Sequence, residues 1–363
     1  MLYDKCILLL ERARLHSMSQ KLKQRPKSKR YIRRRRLVIG LAVLLLVIAV
    51  TLVTLGIRFL AGIIRSTSEN SSSASAVTTT EQPTTTTTTY PTIPADVLDN
   101  QITARCAILY DATHDTILYS RNANEKCYPA SMTKLLTAAI AVKLCSSDAK
   151  FEVGNEISLI AYDSTTAGLK KGDRLTMEMI LDALLLPSGN DAAYVIATYV
   201  GRQAANNDQL SAEEAVAVFA GLMNETAVQI GALSSHFVNP DGYHHPDHYT
   251  TAADMLRIAQ YAMSFPEIKR SVSQPTARHV LLSGRDITWT NTNALLIPGT
   301  EYAYSYANGI KTGTTDEAGP CLAASANKFG VDVYAIVIDA STSPDRFLDA
   351  KVLLEAAFKH AGI

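Results

Sequence analysis

Net charge is the first thing this chain lacks. Its 35 Lys and Arg stand against 34 Asp and Glu, leaving +1 at neutral pH, a balance that argues for neither a nucleic-acid nor an acidic partner. Cysteine is also scarce. Five residues, Cys6, Cys106, Cys127, Cys145 and Cys321, are too few and too scattered for a disulfide framework, so buried free thiols are expected, with one bridge among the last four left open. Cys127 stands four residues before a candidate serine, but a cysteine nucleophile needs a partner histidine that cannot be placed. Internal repeats are missing as well. The run His244-His245-Pro246-Asp247-His248 has metal-binding residue types. It nonetheless follows the turn sequence Asn239-Pro240-Asp241-Gly242 and precedes the helix cap Thr251-Ala252-Ala253-Asp254, so it reads as a structural loop. Neither a metal nor a cofactor is expected.

The positive charge that is present sits at one end. Lys21 to Arg36 carries Lys21, Lys23, Arg25, Lys27, Lys29, Arg30 and Arg33 to Arg36, which taken alone could be a nucleic-acid patch. The sequence after it supports another reading. Leu37 to Ile57 is uncharged and long enough to cross a bilayer core, and the bias of basic residues puts the preceding side in the cytoplasm. A cleaved signal peptide would have a shorter apolar core and a smaller charged region. The apolar stretch Cys6 to Leu10 is too short to span. Beyond the span, Ser and Thr dominate from Ser66 to Pro94, with an unbroken threonine run from Thr84 to Thr89. That composition cannot build a core and reads as a passive tether, with glycosylation left open. The expected organisation is a basic cytoplasmic segment over 1–36, a transmembrane anchor over 37–57, a Ser/Thr/Pro-rich linker over 58–97 and one catalytic domain over 98–363. The last stretch is long enough for a sizeable core.

Within that domain, three short motifs occur in order: Ser131-Met132-Thr133-Lys134, Ser188-Gly189-Asn190 and Lys311-Thr312-Gly313. Taken singly they are ordinary: a surface helix pair, a turn before a helix and a strand end. Together they carry chemistry. Residues three apart on a helix share a face, so Ser131 can touch Lys134, and Pro129 with the helix formers from Leu135 to Ile140 marks a helix start. A serine there lies near unpaired backbone N–H groups but remains a weak nucleophile until a base takes its proton. Lysine is that base only when neutral, which burial and a second nearby cation both favour. Lys311 is the candidate second cation, placed near the start of a strand after an Asn308-Gly309 turn signal and followed by strand-like runs Cys321–Ala326 and Val331–Asp339. Lys311 and Thr312 can hold a substrate carboxylate, and Gly313 lets a substrate backbone lie along an edge strand. The apolar helical run Met177–Leu186 is broken by Pro187, so Ser188 and Asn190 project from a short connection before the next helix.

On these motifs, and on Pro129-Ala130-Ser131-Met132-Thr133-Lys134, Leu186 to Ala193, Phe237 to Gly242, Asn291-Thr292-Asn293 and Gly309 to Thr314, the chain from about Ala104 onward resembles the penicillin-binding D-alanyl-D-alanine carboxypeptidases of low molecular mass. The resemblance implies an α+β, β-lactamase/transpeptidase-like fold: a five-stranded antiparallel sheet flanked by helices, with a helical subdomain carrying Ser188 and Asn190. It implies that Ser131 is acylated, that Lys134 is its base, and that Ser188 relays a proton to the leaving amine. Asn190 would bind the substrate amide, Lys311 and Thr312 the terminal carboxylate, and the backbone N–H groups of Ser131 and Thr314 would form the oxyanion hole. Many relatives have His where this chain has Thr314, but the role belongs to backbone. Peptidoglycan stem peptides are the implied substrates and β-lactams the implied covalent inhibitors. The C-terminal β-rich domain and amphipathic anchor common in the family are not expected here. A class A β-lactamase shares the three motifs but requires a water-activating glutamate with no convincing counterpart between Ser188 and Lys311. A catalytically silent wall-binding or antibiotic-sensing module would ordinarily have lost a motif residue.

Overall fold

The computed structural model describes residues 91–363. The basic segment, the candidate span at 37–57 and the linker up to residue 90 lie outside the described residues, among which no helix is long and apolar enough to cross a membrane. The domain opens with the short helix α1, Ala95–Leu98, then strands β1, Cys106–Asp111, and β2, Thr116–Arg121. Helix α2, Lys134–Leu144, is followed by a small ribbon of β3, Lys150–Glu152, and β4, Arg174–Thr176. Five helices come next: α3, Met177–Leu185; α4, Asn190–Ala204; α5, Ala212–Gln229; α6, Ala252–Met263; and α7, Pro266–Val272. A second ribbon pairs β5, Thr276–Val280, with β6, Asp286–Thr290, and the chain ends with β7, Ala307–Thr315, β8, Gly319–Lys328, β9, Val331–Ile338, and α8, Asp345–His360.

Local chemistry sets most of these boundaries. Thr176, Ser211 and Thr251 accept hydrogen bonds from the third residue of α3, α5 and α6, and Ser211 with Glu214 forms a reciprocal capping box. Pro187 stands just beyond α3, where its ring cannot continue the helix.

The five-stranded sheet runs β2-β1-β9-β8-β7 with every neighbouring pair antiparallel. Alternate residues along a strand face opposite sides, and both sides here are covered. One face, with Ile108, Ala323, Ile336 and Ile338, packs on α6 and α7 and shares one apolar core with α2 to α5. The other, with Leu109, Leu322, Ala324 and Val337, packs on Leu98 of α1 and on Leu353, Leu354 and Phe358 of α8. Helix α2 is buried from Lys134 through Ala141, because its apolar residues run all round the axis rather than along one stripe. Lys134 is therefore enclosed by the fold.

Two expectations change. Asn308-Gly309, read as a turn ahead of a strand, lies inside β7, where a register shift between Ala307 and Gly309 absorbs an extra residue as a bulge. Lys311 is thus mid-strand, opposite Ala323 of β8, and β7 is the edge strand of this sheet. The second change concerns the domain boundary. Ile93, within the expected linker, donates its N–H to the carbonyl of Leu118 at 2.8 Å and packs against the core that holds Leu98. A chain beginning near Pro91 is expected to fold fully. One beginning at Asn100 should lose about 1.5–3 kcal/mol from Leu98 alone, read as a lower thermal midpoint; equal midpoints for the two chains would show that α1 is dispensable.

Candidate active site

Ser131 does not begin an α-helix directly. Residues Ala130–Thr133 form a 3₁₀ turn that leads into α2 at Lys134, and side chains three apart eclipse in a 3₁₀ turn. Contact follows: Lys134 Nζ donates to Ser131 Oγ at 2.8 Å and to the backbone carbonyl of Asp241 at 2.8 Å. Lys134 is fully buried, and burial pulls its amine down to about 8 against the opposing pull of the Asp241 and Asp191 carboxylates. A lysine in that range has a usable neutral fraction near neutral pH, with a lone pair capable of accepting a proton from the hydroxyl it touches.

Asp241 was read from the sequence as part of a turn, yet its side chain is enclosed beside Lys134. Its carboxyl accepts from Tyr243 N–H at 3.2 Å and is hydrogen-bonded by Asn190. Burial pushes its pKa up while Lys134 opposes the shift. Asp241 therefore joins the first motif to the second. Asn190 stands at the start of α4 with its backbone N–H bonded to Thr165 O at 2.9 Å. The buried Asp191 carboxylate holds the facing loop by accepting from Ala167, Leu169 and Ala192 N–H. Ser188, 6% exposed, sits in the turn between α3 and α4 with φ of +66°, and its hydroxyl makes no direct hydrogen bond to Ser131 or Lys134.

The third motif faces the first across the site. Lys311 is 1% exposed and its Nζ donates to Thr312 O at 3.0 Å. Burial first, then repulsion from Lys134 and Arg346, drives its pKa well below the ordinary value. The repulsion falls on Lys311, whereas burial alone accounts for the lowering at Lys134. Thr312 shares a hydrogen bond with Thr292 across 2.6 Å, which ties β7 to the Asn291-Thr292-Asn293 segment. A Cβ on Gly313 would lie 3.0 Å from Pro129 O and 3.1 Å from Ser131 N, so the missing side chain lets β7 approach the serine's own backbone. Thr314, exposed at the mouth, accepts from Arg346 Nη1 at 2.7 Å, and the same nitrogen reaches Gly313 O at 3.2 Å. Arg346 has no mark in the sequence, and Thr292 appears there only within the Asn291-Thr292-Asn293 resemblance, with no role attached. No spacing rule points to a residue that joins a site only when a distant element folds against it.

Ser131 opens into a cleft of about 470 Å³, whose walls include Asn190, Thr314, Tyr243, Asp163 and Glu317. The histidine loop divides its residues. His244 lies at the cleft, 3.5 Å from Glu317 and edge-on to Tyr128; His245 caps the backbone of Asp247; His248 points inward. No group of three or more such side chains converges as metal ligands among the described residues. Cys106, Cys127, Cys145 and Cys321 are free thiols. Cys127 is 2% exposed, and hydrogen bonding to Cys106 together with burial pushes its thiol up, away from the thiolate form a nucleophile needs.

A serine hydroxyl and a depressed lysine within hydrogen-bonding distance, with a second buried lysine on the facing edge strand, have the chemistry that serine acyl transfer with a lysine base requires. Comparison with known proteins gives the family. Residues 92–342 match the D-alanyl-D-alanine carboxypeptidases of peptidase family S11. A D-alanyl-D-alanine carboxypeptidase of Streptomyces sp. K15 is 33% identical over 252 residues, covering 67% of this chain and 83% of the relative. D-alanyl-D-alanine carboxypeptidase DacF of Bacillus subtilis is 29% identical over 261 residues, covering 70% of this chain but only 62% of that relative's length. Among solved structures, the Streptomyces K15 DD-transpeptidase superposes with a TM-score of 0.65 at 30% identity, covering 71% of this chain and 98% of that one. Penicillin-binding protein D2 of Listeria monocytogenes, in its ampicillin-bound form, gives 0.58 at 26% identity with the same coverage. The chain belongs to the D-alanyl-D-alanine carboxypeptidase family and has its penicillin-binding, transpeptidase-type fold.

Proposed function

We propose that this protein is a serine-type D-alanyl-D-alanine carboxypeptidase that removes the terminal D-alanine of peptidoglycan stem peptides and is covalently inhibited by penicillin. The observation that carries this reading is the 2.8 Å contact between Lys134 Nζ and Ser131 Oγ, made inside a fold that withholds water from the amine. Neutral Lys134 takes the Ser131 proton as Oγ attacks the penultimate D-alanine carbonyl. The oxyanion forms against the N–H groups of Ser131 and Thr314. Ser188 passes a proton to the leaving amine, D-alanine departs, and water hydrolyses the ester on Ser131.

Asn190 holds the substrate amide, and the substrate backbone lies along β7, where Gly313 keeps strand and serine close. Lys311 and Thr312 receive the terminal carboxylate. Its arrival restores to Lys311 the opposite charge the free site lacks and so favours the protonated, carboxylate-binding amine. The 37–57 segment anchors the enzyme with residues 1–36 in the cytoplasm, and the Ser/Thr-rich linker extends the catalytic domain into the cell-wall space.

The experiment compares two substrates. Asp241, the carboxylate beside Lys134, is 1% exposed and already bonded, so it does not present itself to water in the open cleft. Penicillin should leave a stable mass adduct on Ser131, because its leaving group stays tethered in the site. A D-alanyl-D-alanine pentapeptide should turn over with steady D-alanine release, since the departing residue opens the site. Rapid penicillin hydrolysis without D-alanine release would make the protein a β-lactamase instead. Absence of both adduct and release would leave a silent binding module.

A further inference from the structure

The residue before the nucleophile is held in an unusual conformation. Ala130 has φ of +46°, a left-handed geometry that residues with a Cβ rarely adopt, and its surroundings are built to keep it there. The Thr133 hydroxyl donates to Ala130 O at 2.8 Å. A Cβ on Gly242 would sit 1.9 Å from that same oxygen and 2.8 Å from Thr133 Oγ1, so glycine makes the room the carbonyl occupies.

Behind Thr133 stands His248, 2% exposed, with its Nε2 2.9 Å from Thr133 Oγ1. Its other nitrogen settles the direction of the chain. Val238 N–H can only donate, and it points at His248 Nδ1 at 3.3 Å, so Nδ1 is the acceptor and the ring proton is on Nε2. Nε2–H therefore donates to Thr133 Oγ1, which leaves the Thr133 proton for Ala130 O. Phe237 packs edge-on against the imidazole at 5.3 Å, and burial keeps the ring neutral, with its pKa pushed down to about 3.

Ala130 C=O and Ser131 N–H are the two ends of one planar peptide, so whatever fixes the carbonyl also fixes the direction of the N–H. We propose that His248, acting through the Thr133 hydroxyl, is a positioning residue that aims the Ser131 N–H into the oxyanion hole. The chain runs from Val238 N–H to His248, Thr133, Ala130 O and Ser131 N–H, and it links the 238–248 loop to the point where negative charge develops. This inference rests on the acyl-enzyme reading above. A relayed hydrogen bond also polarises the amide it ends on, in the direction that strengthens its N–H as a donor.

The test uses the full-length protein and three substitutions. His248→Phe keeps a ring but removes both nitrogens; Thr133→Val keeps the shape but removes the hydroxyl; His248→Gln restores an N–H donor near the Nε2 position. Removing an oxyanion-hole donor outright costs about 10²–10³-fold in rate, so misaiming one should slow the limiting acylation rate with penicillin by about 10–30-fold. Pre-acylation binding should change less than twofold. The pH midpoint of acylation should stay put, because Lys134 is untouched. The His248→Phe, Thr133→Val double variant should be no slower than either single one, and His248→Gln should recover to within about threefold of the parent. Additive losses, a shifted pH midpoint, or a His248→Gln protein as slow as His248→Phe would overturn the proposal. If His248→Phe does not fold, Thr133→Val against Thr133→Ser decides, with Ser expected to retain the rate. The Ser131 amide resonance, from ¹³C′-Ala and ¹⁵N-Ser labelling and assigned by its loss in Ser131→Ala, should move in His248→Phe and return in His248→Gln. An unmoved resonance defeats the positioning role by itself, whereas a parent that neither binds penicillin covalently nor releases D-alanine defeats the enzyme reading instead.

Discussion

Ser131→Ala is expected to abolish both penicillin labelling and D-alanine release while leaving the domain folded. The substitution removes one half-buried hydroxyl, and Lys134 keeps its second partner, the Asp241 carbonyl, at 2.8 Å. No packing is lost. Chemistry, by contrast, loses its only covalent acceptor, and removing the nucleophile of a serine enzyme costs on the order of 10⁶-fold. The thermal midpoint should stay within a few degrees of the parent, since one hydrogen bond is worth about 1 kcal/mol. A protein that still forms a penicillin adduct would have its nucleophile elsewhere, and Cys127 is a poor candidate for the reasons given above.

The second large effect concerns Lys134. With its amine pulled down to about 8 by burial, the neutral base is the minor form below that pH and the major form above it. Acylation should therefore rise with pH through a midpoint near 8. Lys134→Ala should lower the rate by about 10²–10⁴-fold. Lys134→Arg should not rescue it, because a guanidinium does not give up its proton. The neighbouring charges set the direction of further shifts. The Asp241 carboxylate raises the Lys134 pKa, so Asp241→Asn should move the midpoint to lower pH. Repulsion from Lys134 helps to lower the Lys311 pKa, with no matching push of Lys311 on Lys134, so Lys311→Ala should weaken carboxylate binding and slow acylation while leaving the midpoint near 8. A Lys311→Ala protein with an unchanged acylation rate would remove Lys311 from the chemistry of the site.

Local rules explain why the Ser131–Lys134 pair was legible in the sequence. Their contact depends on three intervening peptide steps, and it survives the exchange of an expected α-turn for a 3₁₀ turn because both geometries bring positions three apart together. The strands at Cys321–Ala326 and Val331–Asp339, the Pro187 break and the helix beginning by Asp191 were legible for the same reason: period, capping and ring constraint act within a few residues. Asn308-Gly309 misled because turn propensity is also satisfied by a bulge, and the neighbouring strand decides between them.

What tertiary structure alone decided lies far apart in the chain. Asp241 meets Lys134 across 107 residues and His248 meets Thr133 across 115, while Arg346 reaches β7 from the last helix. Such partners leave no periodic mark, since an aspartate in a turn and a histidine in a loop look the same in sequence whether solvent or a catalytic lysine stands opposite them. Burial is equally a property of the assembled layers. The sequence by itself determined which residues could do acyl-transfer chemistry and in what order, because motif and spacing are local. Only the packed fold removed water from Lys134 and Lys311, and that desolvation lowers the pKa of two otherwise ordinary ammonium groups, which is what the proposed base and carboxylate-binding roles require.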